Sequence, residues 1–257
     1  GLRALEIPTS PSRGLSVEAL ELAFQSHGRI AAVVVVPNFQ NPLGCVMPDE
    51  EKARLVALCE THGVALIEDD IYGALSDDDP PLRVCKAWDS RGNVIHCGSF
   101  HKTLAPGMRI GWVTGGRWQD RIRMLKHAQS RPNDALAQMA IGEFMAGHAF
   151  DRHLVRLRRQ LKAQRERTAE TIAARFPAGT RLSMPCGGML LWVEMPEGCS
   201  SRRVFEAALH EGIRVAPGLL FSNSERFDRF LRISCGYPYS PRIEAALTRL
   251  GEIVATV

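Results

Sequence analysis

Short apolar runs rich in β-branched residues alternate with amphipathic helical stretches in the first half of this chain. Residues 30–36, 64–68 and 94–98 have the pattern of buried strands, and residues 49–62 have that of a helix. A strand, a helix and a strand at this spacing favour a right-handed crossover between parallel strands, and residues 109–114 add a further strand. The sequence therefore predicts an α/β fold, in which ligands bind beyond the carboxyl ends of the strands.

The second half of the chain predicts a smaller α+β unit. A helical pattern covers residues 135–146 and then residues 150–175, and the longer stretch is typical of a connection between domains. The elements beyond it are strands near residues 181–183, 189–193, 214–216 and 230–234, and helices over residues 201–211 and 241–254. We therefore predict two domains, over residues 1–146 and 147–257.

The composition is that of a globular protein without metal or membrane features. The 257 residues are 45% hydrophobic and carry a formal net charge of +4, and the seven cysteines include no Cys-x-x-Cys pair. This spacing argues against a zinc site or a disulfide framework and favours a reducing compartment. No apolar run reaches the length of a membrane span, and the chain does not start with a signal peptide. We therefore expect a cytoplasmic protein with no metal and no membrane partner.

One lysine stands in a run that suits a phosphate-bearing aldehyde. In residues 98–109, GSFHKTLAPGMR, Lys102 has Ser99 three residues before it and Arg109 seven residues after it. A lysine amine can condense with an aldehyde to form a Schiff base, and a serine and an arginine nearby can hold a phosphate on the same molecule. Pyridoxal 5'-phosphate (PLP) has both groups. The alternative is an ordinary turn after a strand with a surface lysine.

Two polar residues, Asp69 and Tyr72, stand three residues apart directly after the predicted strand over residues 64–68. A carboxylate at that place can pair with a protonated pyridine nitrogen, and a tyrosine hydroxyl at the next turn can reach the ring oxygen. The alternative is that Asp69 or Asp70 only caps the next helix. Of the two acidic residues, we assign the functional role to Asp69 and a scaffold role to Asp70.

Asn41 and Arg232 are candidates for binding the oxygen atoms of a small molecule. Asn41 precedes a proline, which keeps its backbone extended, and it either donates to a phenolate or simply builds a turn. Arg232 lies inside the apolar strand over residues 230–234, where an unpartnered guanidinium is costly. It must therefore meet an amino-acid α-carboxylate or a protein carboxylate. Gly187 and Gly188 open another strand and indicate close approach of a substrate or a chain segment, or packing alone.

The motifs follow one order along the chain: NPLG with Asn41, EDDIYG with Asp69 and Tyr72, GSFHKTLAPGMRIGW with Ser99 and Lys102, and FLRIS with Arg232. Together they resemble the fold type I, class I/II PLP-dependent aminotransferases, over essentially the whole chain. The resemblance implies an α/β fold of the aspartate aminotransferase type. Its central sheet is mixed and mostly parallel, and a smaller C-terminal α+β domain follows.

The resemblance also implies roles for individual residues. Lys102 forms the internal aldimine with PLP and, with Asp69 and Tyr72, belongs to the catalytic set. Asp69 pairs with the pyridinium, Asn41 and Tyr72 contact the ring hydroxyl oxygen, Ser99 and Arg109 hold the phosphate, and Arg232 and Asn41 bind the substrate. One position departs from the family pattern, because His101 stands where a small serine usually precedes the lysine.

The finer wording of three segments narrows the resemblance. PNFQNPLG, MPDEEKARLVALCETHGVALIEDDIYG and HCGSFHKTLAPGMRIGWVTGGRW resemble the aminotransferase-like domain of MocR-type, GntR-family transcriptional regulators. This implies a PLP-binding effector and oligomerisation domain that forms homodimers and takes an amino acid or amine as ligand. DNA binding in such a regulator comes only through an N-terminal winged helix-turn-helix. We expect that module, and the earlier part of the large domain, to lie outside these 257 residues.

Two alternatives stay open. A free-standing aminotransferase acting on amino acids needs almost the same residues, so the sequence leaves open whether the chain is an enzyme. A PLP-fold remnant that only dimerises is the third possibility. Phe39, Met189 and Phe221 are candidates to line a side-chain pocket.

Overall fold

The computed structural model describes residues 1–78 and 81–257, and these form two compact units. The N-terminal unit comprises Ile7–Gln40 and Cys45–Leu157, and the C-terminal unit comprises Gly1–Glu6, Asn41–Gly44 and Arg158–Val257. The division along the chain falls inside a long helix. The domain boundary between residues 146 and 147 stays a prediction.

The N-terminal unit contains a short hairpin, a central sheet and helices. The hairpin pairs β1 (Thr9–Ser10) with β2 (Gly14–Leu15). The sheet strands are β3 (Ala32–Val35), β4 (Ala65–Asp69), β5 (Val94–Ser99) and β6 (Gly111–Thr114). The helices are α1 (Val17–Ser26), α2 (Asp49–Thr61), α3 (Gln119–Ser130), α4 (Ala135–Ala146) and α5 (Ala149–Arg175), of which α5 continues into the C-terminal unit.

The central sheet has the strand order β3, β4, β5, β6. The first three strands are parallel and β6 is antiparallel to β5, which confirms the predicted mixed, mostly parallel sheet. Helix α2 connects β3 to β4, because parallel neighbours need a crossover. Val35 pairs with Glu68, and Asp69 pairs with Cys97. The carboxyl ends of the parallel strands therefore lie along one edge, where the segments after residues 69 and 99 emerge.

Apolar side chains of α1 and α2 pack against this sheet. Leu20 in α1, Leu55 in α2 and Leu66 in β4 belong to the same core, and each is at most 2% exposed. Burial of one such side chain contributes roughly 1.5–3 kcal/mol. Helix α1 begins at Ser16, whose Oγ accepts a hydrogen bond from the Ala19 N–H at 3.1 Å. The sheet whose carboxyl edge carries the candidate residues is thus packed against α1 and α2.

The C-terminal unit is an antiparallel sheet with helices. Its strands are β7 (Arg181–Leu182), β8 (Leu190–Glu194), β9 (Ala216–Pro217) and β10 (Phe230–Ser234), in the order β7, β8, β10, β9. Its helices, besides the end of α5, are α6 (Ser201–His210) and α7 (Pro241–Thr256). Leu231 and Ile233 of β10 belong to the core that includes residues of α6 and α7. Because side chains alternate along a strand, Arg232 lies on the opposite face of the sheet.

Most predicted elements are present, and two helices were not predicted. Helix α4 and strand β10 have the predicted bounds. Helices α1 and α3 have no counterpart among the predicted elements. The apolar signal on which such a prediction depends is weak in α3, because Ile122 and Leu125 stand among mostly polar residues. In the described part of the chain, no helix combines the length and the apolar character needed to cross a bilayer.

Buried polar groups anchor the loops beside β4. The Glu68 carboxylate is fully buried, accepts hydrogen bonds from the main-chain N–H groups of Cys85 and Lys86, and lies 3.2 Å from His96 Nδ1. The hydrogen bond that the His96 ring donates to the Glu68 carboxylate raises the pKa of His96. Asp70 Oδ1 accepts from Asn38 Nδ2 at 2.9 Å, and burial raises the pKa of Asp70 to about 6. These contacts suit the scaffold role predicted for Asp70.

We expect Asp70→Asn to stabilise the protein near neutral pH. The folded pKa of about 6 lies above the usual 3.8, so folding favours the protonated carboxyl. Its contribution is complete below about pH 4 and is lost as the pH rises through about 6. An amide at position 70 still accepts from Asn38 and carries no charge. The free energy of unfolding should therefore rise by about 1–3 kcal/mol near pH 7.

Urea unfolding of the wild-type and Asp70→Asn proteins at about pH 4 and about pH 7 measures this difference. Asp120→Asn, at a carboxyl whose side chain is 92% exposed, is the control and should change the pH dependence little. An Asp70→Asn effect of equal size at both pH values would contradict the prediction.

Candidate functional site

Lys102 lies in the loop that follows β5. The main-chain N–H groups of Leu104 and Ala105 both donate to the Phe100 carbonyl oxygen, at 2.9 and 3.1 Å, which closes a turn around the lysine. Thr103 is buried, and its carbonyl oxygen lies 2.8 Å from Nε2 of His153 in α5. Lys102 itself is half-buried. Hydrogen bonds to the Phe100 and Thr103 carbonyl oxygens therefore fix the backbone before and after Lys102.

The same loop brings Ser99 and Arg109 together through His101. Ser99 Oγ accepts from the His101 N–H at 3.1 Å. Arg109 Nη1 lies 3.1 Å from His101 Nδ1. Arg109 has a left-handed backbone, with a φ of 54°, and its carbonyl oxygen accepts from Asn133 Nδ2 at 3.1 Å. One short loop thus carries a hydroxyl and a guanidinium that both contact His101, and these two groups are suited to binding an anion.

Asp69 is the last residue of β4 and Tyr72 follows in the next turn. Asp69 pairs in register with Cys97, and Ser99 stands two residues further along β5. Because side chains alternate along strands, Asp69 and Ser99 lie on the same face at the carboxyl edge of the sheet. Tyr72 is 6% exposed. The N-terminal unit therefore brings Asp69 and the loop of Lys102 to one edge of the sheet.

The Asp69 carboxylate keeps one oxygen available. Burial raises the pKa of Asp69, while the Ile71 N–H and the nearby His96 side chain lower it. Oδ1 is buried and has no hydrogen-bond partner within residues 1–78 and 81–257. A buried acceptor without a donor costs free energy, so this oxygen fits a ligand that brings an N–H of its own. A protonated pyridine nitrogen is such a donor.

Arg232 and Asn41 are in contact within the C-terminal unit. Arg232 Nη1 donates to Asn41 Oδ1 at 2.9 Å, and the guanidinium carbon lies 5.1 Å from the centroid of the Phe221 ring. Arg232 Nε is buried, and the described residues offer it no acceptor. No described carboxylate pairs with Arg232. Its partner is the Asn41 amide, and the salt bridge to a protein carboxylate, which the sequence left open, is not formed among the described residues. The guanidinium keeps donors for an added carboxylate.

Arg165 is a buried polar residue that the sequence analysis missed. It is 1% exposed, and its Nη1 donates to the Gly188 carbonyl oxygen at 2.7 Å. Gly188 has a φ of 70°. For the glycine pair, this contact favours close approach of another chain segment. The missed signal is the buried stripe Leu161, Arg165, Thr168 and Ile172 on α5, which recurs at helical spacing and contains an arginine.

Comparison with known proteins gives one family. The family model "Aminotransferase class I and II" matches residues 1–250. The Escherichia coli (strain K12) protein described as "Uncharacterized HTH-type transcriptional regulator YjiR" is 39% identical over 254 residues, which are 99% of this chain and 54% of that protein. The chain therefore spans about half the length of this relative.

Two solved structures share the fold closely. The Pyrococcus horikoshii kynurenine aminotransferase, in complex with PMP, is 29% identical with a TM-score of 0.90, and the match covers 98% of this chain and 63% of that one. The Thermus thermophilus α-aminoadipate aminotransferase LysN, complexed with N-(5'-phosphopyridoxyl)-L-leucine, is 27% identical with a TM-score of 0.90, over 99% and 66% of the two chains. These matches confirm the fold type I prediction. This chain belongs to the class I and II aminotransferase family.

Proposed function

We propose that this chain is the PLP-binding, aminotransferase-like effector and oligomerisation domain of a MocR-type, GntR-family transcriptional regulator. The observation that carries the cofactor part is the buried, unsatisfied Asp69 Oδ1 at the sheet edge that also bears the Ser99–Lys102 loop. The similarity to the regulator YjiR over 99% of this chain supports the regulatory part. The proposal keeps the predicted domains, residues 1–146 for PLP and residues 147–257 as the small domain.

The residues of the N-terminal unit would hold the cofactor. PLP, when bound, supplies an aldehyde that reacts with amines and a ring that draws electron density from the adjoining carbon. Lys102 would supply the reacting amine and would hold a proton at Nζ. Asp69 accepts the hydrogen bond of the protonated ring nitrogen and balances its charge. Tyr72 directs its hydroxyl to the ring oxygen, and Ser99 and Arg109 bind the phosphate.

Residues of the C-terminal unit would bind the amino acid or amine. Arg232 offers a buried Nε–H and further N–H groups to a carboxylate, and the Asn41 side chain holds it in place through the 2.9 Å hydrogen bond. Asn41 also has the predicted role at the ring hydroxyl oxygen. In a regulator, ligand binding changes these contacts and so biases the arrangement of the domains.

The proposed partners follow from the assignment to a MocR-type regulator. The protein acts in the cytoplasm as a homodimer and reaches DNA only through an N-terminal winged helix-turn-helix module. Determination of the coding sequence upstream of Gly1 tests this directly. An open reading frame without a winged helix-turn-helix would remove the regulator proposal and leave the cofactor proposal intact.

The second candidate is a free-standing PLP-dependent aminotransferase. The Arg232 guanidinium with its unused Nε–H favours it, because an α-carboxylate is the natural ligand of such a group. The similarity to the kynurenine aminotransferase supports it as well.

We expect Lys102→Ala to abolish covalent binding of PLP, because it removes the reacting amine. Wild-type protein incubated with PLP should show the visible absorption of a lysine-bound cofactor and, after borohydride reduction, a mass increase on the peptide that contains Lys102. Lys126→Ala, at a lysine of α3 that bonds only Ser130 and the Arg131 carbonyl oxygen among described residues, is the matched control and should behave as wild type. Equal labelling of the Lys102→Ala protein would refute the assignment.

Arg232→Gln should weaken the response to amino acids and spare the response to simple amines. Loss of a charge-assisted hydrogen bond costs roughly 1.5–3 kcal/mol, which is about a 10- to 100-fold change in apparent affinity. Titration of the PLP-loaded protein with amino acids and with methylamine, followed by absorption, measures both responses. Arg229→Gln, which removes a guanidinium paired with Glu194 and Glu197, is the control. A parallel loss for methylamine would count against a carboxylate-binding role.

Single-turnover assays separate the two candidate functions. A regulator domain should respond spectrally to an amino acid while releasing no keto acid, because binding is sufficient to shift domain populations. An aminotransferase should release one keto acid for each PLP-loaded protein. Keto acid release that disappears in the Arg232→Gln protein would favour the enzyme.

A further inference from the structure

His101 lies between the two residues to which the proposed function assigns the phosphate. Its main-chain N–H donates to Ser99 Oγ at 3.1 Å, and its ring Nδ1 lies 3.1 Å from Arg109 Nη1. One residue thus touches both members of the anion-binding pair. The sequence places it immediately before Lys102, where the resembling family usually carries a small serine. The main-chain bond to Ser99 does not require a histidine, but the contact with Arg109 is made by the ring.

The contact with Arg109 determines which nitrogen of the His101 ring carries the proton. A guanidinium only donates hydrogen bonds, so Nδ1 must accept and the proton of the neutral ring must be on Nε2. The Pro106 carbonyl oxygen, which only accepts, lies 3.2 Å from the same Nδ1. One nitrogen cannot accept from Arg109 and donate to Pro106 together. The bond from a charged donor is the stronger of the two, so Nδ1 accepts from Arg109.

The contact with His101 restrains the Arg109 side chain, which is exposed. Its side chain has many rotamers, and immobilising a side chain of this kind on binding costs about 0.5–1.5 kcal/mol, or up to about a tenfold change in affinity. Asn133 holds only the Arg109 main chain, through the carbonyl oxygen. His101 occupies one of the five guanidinium N–H groups and leaves the others for an anion.

We propose that His101 is a positioning residue that holds the Arg109 guanidinium beside Ser99, ready for the cofactor phosphate. It acts through Arg109 and is not itself a catalytic residue. This inference rests on the proposed PLP function and adds to it a residue that strengthens binding of the phosphate.

The test compares PLP with pyridoxal, which has the same aldehyde and ring and no phosphate. Dissociation constants are measured by absorption titration for the wild-type, His101→Leu and His101→Asn proteins. His101→Leu should weaken PLP binding by up to about tenfold and leave pyridoxal binding unchanged. His101→Asn should bind PLP within about twofold of wild type, because the Asn side-chain oxygen, like Nδ1, is two bonds from Cβ and accepts from Arg109.

The His101→Leu substitution in an Arg109→Gln protein tests whether His101 acts through Arg109. There His101→Leu should have no further effect on PLP binding, since the residue acts through the guanidinium. Thermal melting of each variant checks folding, and His101→Ala, which also removes the acceptor for Arg109, replaces His101→Leu if that variant does not fold.

Four results would overturn the inference: equal weakening of PLP and pyridoxal by His101→Leu, tighter PLP binding in that variant, failure of His101→Asn to restore affinity, or an undiminished His101→Leu effect without Arg109. Each would leave the proposed function standing, provided that wild-type protein binds PLP through Lys102. If wild-type protein shows no Lys102-dependent binding, the proposed function fails and this inference fails with it.

Discussion

The parallel pairing of β4 with β5 is the constraint on which the polar architecture of the N-terminal unit depends. Alternation along β4 sends Glu68 into contact with buried main-chain N–H groups and His96, and sends Asp69 to the other face. The same register places Ser99 on the face of Asp69. A shift of one residue would exchange these two faces and bury the wrong carboxylate.

Polar groups in this protein fall into two sets by their hydrogen bonding. Glu68 and Asp70 receive donors from within their own unit. Asp69 Oδ1 and Arg232 Nε are buried and lack a described partner, as do a few buried atoms away from the candidate site, among them Asn93 Oδ1. Because unsatisfied buried groups reduce stability, such groups persist most readily where a ligand completes them. For Asp69 the missing partner coincides with a place at the carboxyl edge of the sheet, and the two observations together distinguish it from its scaffold neighbours Glu68 and Asp70.

A regulator and an enzyme of this family would need nearly the same candidate residues, including Lys102 and Arg232. The proposed binding of an amine by Lys102 and of a carboxylate by Arg232 would serve both functions, since each requires the ligand to be bound first. The relative YjiR is about twice the length covered here, so the difference between the two functions depends on more than the residues of this chain.

The sequence alone determined the α/β class, the strand and helix order, and the candidate residues. Strand and helix periodicities and motifs such as EDDIYG and FLRIS are local properties, and α4 and β10 were predicted to the residue. Helix α1 was missed although Ser16 provides a usable cap signal, and α3 was missed because its few apolar residues, such as Ile122 and Leu125, stand among mostly polar ones. Only the tertiary structure decided which polar groups are satisfied. The Asn41 contact with Arg232 spans 191 residues of sequence, and the Arg109 contact with His101 depends on a left-handed backbone at Arg109. Such contacts form between side chains brought together by folding, and no local pattern encodes them.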